Sequence, residues 1–339
     1  MEVGETGMHQ GHSNKKRSIL SEWGLWYLIL PAALLSGILY YRLIDLPNTE
    51  RRMILHQQIC LGEAESPYRY RILVPYTTEL LIQLLSHWLS YTTAFRLVYA
   101  FYDIVSLFLF FGALYYWLRL WHSPERSLLG VLFACATAPV AYWHHHFQPW
   151  SLLEAALFTI GLIFVVNNQK FYILFILFIY TLLRETSIFL PLAYFVSRYS
   201  TPSRRAEDSD WRLWAAIFFG TWFLIYGGLR LYLGHAPHVN SLTELIGINF
   251  SSRNLIITPV YVFIMFGGFV ALAKRGYAFA PLPLRKVSLV IVPYLVIIGI
   301  WAIWSEVRCL MPLYPIVIAL GLYGIDSVLS GSTDSSESR

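Results

Sequence analysis

Charge is scarce in this chain. Of 339 residues only 13% are Asp, Glu, Lys or Arg, against 57% apolar and 17% aromatic, a balance that excludes a water-soluble domain. Cysteine is scarce too: Cys60, Cys135 and Cys309 are odd in number, the last two fall in or beside apolar runs, and no CxxC is present. Neither a disulfide framework nor a cysteine-based metal site is expected. The first 22 residues are polar and lack a short apolar core with a small-residue cleavage site, so no removable signal peptide is expected. No HExxH motif and no internal repeat relating the two halves is present. The net charge of +5 is scattered between apolar runs rather than gathered on one face, which argues against nucleic acid as a partner.

What is present is long apolar sequence. A spanning helix needs about 20 apolar residues, and polar punctuation divides the chain into about ten candidate segments: 23–44, 93–118, 127–143, 150–167, 171–183, 187–198, 213–233, 255–273, 287–304 and 308–328. The expected fold is an all-α, polytopic helical bundle in a membrane. A cytoplasmic tail at 1–22 precedes a domain at 23–328, whose first outer loop covers 45–92, and a polar, disordered tail follows at 329–339. The run 171–198 reads either as one helix with Arg184 and Glu185 in its middle or as two short limbs meeting at RETS. With two limbs and a cytoplasmic amino terminus, Lys15, Lys16, Lys170, Lys274 and Lys286, which are all the lysines, lie inside, as the positive-inside tendency requires. Two limbs are therefore expected, in the plasma membrane of a prokaryote or the endoplasmic reticulum of a eukaryote.

That topology gathers four distant polar clusters at the outer face: the loop 45–92, the turn YWHHHFQPW at 142–150, LLRETS at 182–187 and WSEVR at 304–308. Ionised groups in hydrocarbon cost several kcal/mol, about 2.5–3.5 on insertion scales, so their gathering at helix mouths marks a substrate path. In the first loop, residues 77–90 repeat Glu79, Gln83 and His87 along a leucine-rich face, as an interfacial helix does, while PYRYRILVP is expected to be extended or turned. All the basic residues assigned outside are arginines, Arg42, Arg51, Arg52, Arg69 and Arg71 in the first region among them. The guanidinium fork grips phosphate bidentately, which lysine does not. The competing reading is that these arginines anchor the loop to headgroups or pair with Glu50, Glu63 and Glu65.

The stretch SEVRCLMPLYP, with Glu306, Arg308, Pro312 and Pro315, resembles the short motif near the last helices of the polyprenol-dependent membrane glycosyltransferases of the GT-C class, in particular their mannosyltransferase branch. Trp304 and Ser305 stand where that branch has His and Lys. GT-C enzymes are also similar in having a first span, then a large outer loop that opens on an acidic residue and carries helices along the membrane. Asp45 occupies that place, although the family's adjacent acid pair is replaced by the separated Asp45 and Glu50 of DLPNTE. The resemblance implies inverting transfer of a sugar from a polyprenyl-phosphate donor to a hydroxyl of a glycan, lipid or protein acceptor at the outer face.

Such chemistry needs a carboxylate to take the acceptor proton, for which Asp45 and then Glu50 are the candidates. It also needs cations to hold the departing phosphate, for which Arg184 and Arg308, helped by Arg69 and Arg71, are the candidates. His144, His145, His146, Gln148 and Trp150 would suit substrate hydroxyls and a sugar face, while Glu185, Glu306, Asp103 and Glu154 would orient the arginines. Three successive histidines point about 100° apart on a helix and seldom share an ion, so no metal-ligand motif is evident and a divalent cation is left open. Each piece also has a plainer reading: Glu306 with Arg308 as a helix-start pair, Arg184 with Glu185 as a buried ion pair fixing a helix break, and the histidines as an interfacial turn. A transporter or flippase for an anionic lipid or solute, or a non-catalytic membrane subunit, are the rival functions.

Overall fold

Serines and prolines set several of the helix boundaries. The computed structural model of the protein describes residues 23–142, 149–199 and 210–333. Within them the backbone is helical, and one bridged pair, Ser66 with His238, stands in place of any strand. In chain order the helices are α1 (Trp23–Tyr40), which runs on through a wider turn at Tyr41–Asp45, α2 (Thr49–Cys60), α3 (Leu73–Leu85), α4 (Tyr91–Arg119), α5 (Pro124–Thr137), α6 (Trp150–Val166), α7 (Lys170–Leu183), α8 (Phe189–Tyr199), α9 (Trp211–Leu233), α10 (Leu242–Asn249), α11 (Ser252–Phe266), α12 (Phe269–Gly276), α13 (Leu282–Ser288), α14 (Ile291–Trp301) and α15 (Tyr314–Thr333). Ser90, Ser123, Ser241 and Ser251 accept a backbone N–H at the starts of α4, α5, α10 and α11, which satisfies donors a helix start leaves free.

Trp26–Asp45, Tyr91–Arg119, Trp211–Leu233, Leu282–Trp301 and Val307–Leu329 are long and apolar enough to cross a membrane, and α11 with α12, bent by 64°, makes a sixth if taken as one span. The protein is an all-helical membrane protein. The other expected segments fall on shorter helices, α5 and α7 of 14 residues, α6 of 17 and α8 of 11. Protein surrounds α6 on several sides, since α4, α7 and α8 pack against it and Trp150, Ala155, Phe158, Leu162 and Val165 are wholly buried. A helix so enclosed has its length set by neighbouring side chains rather than by lipid.

Chain direction follows from contacts at the helix ends. Lys170, opening α7, donates to Asp210 Oδ1 at 2.6 Å, and Arg198, near the end of α8, donates to the carbonyl of Val165 at 3.2 Å, near the end of α6. The start of α7 and the end of α8 thus share one end of the bundle, and the turn at 184–188 lies at the other. The run 171–198 is two limbs, broken at Arg184, whose extended backbone (φ −162°, ψ 146°) ends α7.

The first loop is more helical than its sequence suggests. The interfacial helix expected at 77–90 is α3, which starts at Leu73 because Pro75 falls in its first turn, where the missing N–H has no intrahelical acceptor to lose. Tyr68–Tyr70 form a single helical turn, the turned of the two conformations expected for PYRYRILVP, and α2 adds a helix across TERRMILHQQIC. The tail expected to be disordered from 329 is helical through Thr333. There α15 meets α12 along a seam of glycines. A Cβ on Gly276 would lie 1.9 Å from the Leu320 carbonyl oxygen, and one on Gly324 2.1 Å from that of Leu272, so the two backbones touch where small residues permit it.

Candidate functional site

The break after α7 aims two charged side chains in different directions. Arg184 turns into the bundle, where its Nη1 bonds Glu154 of α6 and its Nη2 lies 3.5 Å from Cys309 Sγ. Thr186 and Tyr180 donate to the other oxygen of Glu154, the tyrosine at 3.2 Å, so this wholly buried carboxylate is fully engaged. Glu185 turns toward the first loop and binds Arg71 through both carboxylate oxygens, Nε to Oε2 at 3.1 Å. The Arg71 guanidinium lies 5.6 Å from the Tyr68 ring centre and 5.1 Å from that of Trp150. Burial alone would push the Glu185 carboxyl up, but the charge and hydrogen bonds of Arg71, followed by the charge of Arg184, outweigh it and hold the group down to about 2.

The fourth segment approaches from α14. After Trp301 the chain turns through Trp304–Glu306 into a helical turn at Val307–Leu313, and Arg308 Nη2 bonds Glu306 Oε2. Together these segments enclose a cavity of about 610 Å³, walled by Tyr68, Arg71, Arg184, Glu185, Glu306 and Arg308 on its polar side. Its roof is residues 235–245, its mouth carries Tyr226 and Arg230, and Leu242, Leu245, Ile297, Ile298 and Trp301 make an apolar wall. The roof is tied down: Ser66 N–H donates to the Pro237 carbonyl at 2.8 Å, Val239 N–H to the Ser66 carbonyl at 2.9 Å, and the Tyr70 hydroxyl to the Gly234 carbonyl at 2.9 Å.

Arg308 stands on the cavity wall with part of its guanidinium unmatched. It is 4% exposed, and its Nε and Nη1 have no hydrogen-bond partner among the described residues. An unmatched buried guanidinium donor is costly, about 1–3 kcal/mol or more, and on a cavity wall it is a preformed seat for an anion.

Of the residues expected at the site, Arg71, Arg184, Arg308, Glu185 and Glu306 are brought together, and Glu154 is bonded to Arg184 behind them. Arg69 sits outside the wall, its Nη1 3.4 Å from the His235 carbonyl. Trp150 is wholly buried and lies against Arg71, so its ring is not offered to a sugar. His144, His145, His146 and Gln148 lie outside the described residues. Glu50 is exposed on α2.

Asp45 does not line the cavity. It is 3% exposed and pairs with Arg52 of α2. Arg52 lies 5.1 Å from the Tyr99 ring centre and is within electrostatic reach of Asp103, so Asp103 also belongs here rather than beside the cavity arginines. Tyr99 continues the cluster to His56 Nδ1 at 2.8 Å, and His56 Nε2 meets Glu79 Oε2 at 2.8 Å. Tyr40 stands between the two groups, within electrostatic reach of Arg52 and Asp103 on one side and Arg308 on the other.

Sequence reasoning missed Arg230 and the roof. Arg230 donates to the Tyr226 hydroxyl at 2.6 Å and covers the Tyr70 ring at 4.6 Å. The only signal for the roof is its turn chemistry, GHAPHVNS ending in the serine that caps α10. Asn249-Phe250-Ser251 has the form of an N-glycosylation sequon, but its asparagine is closed in the fold. Asn249 is 2% exposed, donates to the Ala302 carbonyl and accepts from Trp304 N–H, both at 2.9 Å. Among the described residues no three His, Cys, Asp or Glu side chains are grouped to hold a metal ion. No protein-family model, curated protein or solved structure matches the chain.

Proposed function

We propose that this protein is a membrane glycosyltransferase that moves a sugar, a hexose such as mannose, from a polyprenyl-phosphate carrier to an acceptor hydroxyl, and that the Arg-lined cavity is its active site. The observation that carries the reading is Arg308, buried on the cavity wall with two nitrogens unmatched, beside Arg184. Charge develops on the donor phosphate as the glycosidic bond breaks, and oriented cations in a low-dielectric site stabilise it without reorganising. The apolar wall of Leu242, Leu245, Ile297 and Ile298 supports a lipid-linked donor over a soluble one, because the first isoprene units then leave the phosphate along hydrocarbon. The resemblance of SEVRCLMPLYP to the GT-C motif points the same way, since its two charged residues, Glu306 and Arg308, line this cavity. In this reading the chain has about ten membrane segments in a GT-C-like arrangement, its amino terminus is cytoplasmic and the cavity opens to the opposite side.

The test is the protein in lipid nanodiscs with a panel of polyprenyl-phosphate hexoses and simple hydroxyl acceptors. Wild type should release polyprenyl phosphate and form product. Arg308→Ala should lower turnover at least about a hundredfold, as loss of an oxyanion-stabilising donor does. Vectorial movement of the lipid without turnover would replace the reading with a transporter, and neither signal would overturn both.

A further inference from the structure

The cavity carries cations enough for a phosphate, but its acceptor proton has no assigned destination. Four of the acids considered so far are poorly placed for it. Asp45 and Asp103 are buried off the wall with Arg52, Glu154 is closed in by Arg184, Thr186 and Tyr180, and Glu50 lies exposed on α2. On the wall itself stand Glu185 and Glu306. Both oxygens of Glu185 are held by Arg71, and a carboxyl kept near 2 by two guanidinium groups is a poor proton acceptor.

Glu306 differs in how its two oxygens are held. Its side chain is 26% exposed on the cavity wall. One oxygen, Oε2, bonds Arg308, and Oε1 takes no hydrogen bond from any described residue. Its backbone is fixed at both groups, N–H to the Ile303 carbonyl at 2.9 Å and C=O from Cys309 N–H at 3.0 Å. Arg308 thus holds Glu306 on Nη2 and leaves either Nε or Nη1 open to a second anion. Two anions on different nitrogens of one guanidinium are kept apart yet close, as inverting displacement requires of the groups that flank the reacting carbon.

We propose that Glu306, rather than Asp45, is the catalytic base. This rests on the glycosyltransferase reading of the same cavity. Glu306 takes the proton of the acceptor hydroxyl as that oxygen bonds to C1 of the sugar. The bond from C1 to the phosphate oxygen breaks, its electron pair leaves with the polyprenyl phosphate, and Arg308 and Arg184 hold that charge. The proton rests on Glu306 until product leaves. The donor phosphate shares the charge of Arg308 and so weakens its attraction for Glu306, which makes the carboxylate a better base once donor is bound.

The experiment compares Glu306→Gln, Glu306→Asp and Asp45→Asn in nanodiscs, measuring polyprenyl-phosphate binding and transfer from a polyprenyl-phosphate hexose that wild type turns over. Glu306→Gln should lose about 10²–10⁴ in kcat while binding polyprenyl phosphate within threefold of wild type, and Glu306→Asp should recover part of the loss. Azide, an attacking anion with no proton to remove, should restore donor cleavage in Glu306→Gln and not in Arg308→Ala. Transfer by Glu306→Gln within threefold of wild type, loss of polyprenyl-phosphate binding together with transfer, or azide rescue confined to Asp45→Asn would each overturn the assignment. If wild type turns over no donor, the glycosyltransferase reading itself has failed and the assignment falls with it.

Discussion

Removing Arg184 should destabilise the protein by about 3–5 kcal/mol, and most of that loss should vanish when its partner is neutralised. Arg184 and Glu154 are both buried and bonded to each other, so Arg184→Met leaves a carboxylate in the bundle with two hydroxyl donors and no cation. Breaking a buried pair from one side costs about 3–5 kcal/mol, because the surviving charge is uncompensated. The geometry indicates the repair. Tyr180 and Thr186 both donate to Glu154 Oε1, whereas Arg184 binds Oε2. In Glu154→Gln the amide carbonyl can take the Oε1 place and keep both hydroxyls, with its NH2 toward the apolar side chain that Arg184→Met introduces. The double variant should therefore return to within about 1–2 kcal/mol of wild type. Thermal unfolding of detergent-solubilised protein, followed by the monodisperse peak in size-exclusion chromatography, reads this as a fall in apparent Tm of roughly 10 °C for Arg184→Met and recovery of most of it in the double variant. An unchanged Tm for Arg184→Met, or a double variant no better than the single one, would refute the picture of a charge whose burial depends on its partner.

Three further outcomes follow from named contacts. Glu185, held near 2 against an ordinary 4.5 by Arg71, stabilises the fold fully above about pH 4.5 and progressively less as pH falls toward 2; the Tm gap between wild type and Glu185→Gln should be constant near neutrality and shrink across that acid window. His56 has a lowered proton affinity, chiefly through burial with Glu79 partly offsetting it, so its contribution is complete above its ordinary 6.5 and lost as pH drops below that value; a fall in Tm between about pH 7.5 and 5.5 should flatten in His56→Gln. Gly324→Ala forces a Cβ to 2.1 Å from a backbone oxygen across the α12–α15 seam and should cost about 1–3 kcal/mol, whereas Gly299→Ala, with nothing within 4 Å of its Cβ, should leave Tm within about 1 °C.

Much of the site's geography is legible in sequence, for a physical reason. RETS interrupts apolar residues on both sides, and a cation and an acid there must either break the helix or find partners; Arg184 and Glu185 do both. Glu306 and Arg308 are legible in the same way, as charge at the lip of an apolar run. What sequence does not carry is direction around a helix end. Asp45 closes the first span as expected, but Arg52, one helical turn into α2, draws it inward, and neither residue's spacing reveals that pairing. Arg230 hides differently, inside an apolar span, where only the approach of Tyr70 from another segment exposes its role at the mouth. Helix α2 escapes because its buried Arg52, His56 and Ile59 are mixed in polarity, so the four-residue periodicity of its inner face does not stand out as hydrophobic.

The engagement of Asn249 bears on how sidedness can be measured. Once the chain has folded, the Asn249 amide donates to Ala302, accepts from Trp304 and is closed to a transferase, so an unshifted gel band would say nothing about which compartment that end of the molecule meets. A reporter acceptor engineered into the turn after α2, where Leu61 is 71% exposed, would make the absence or presence of added mass informative.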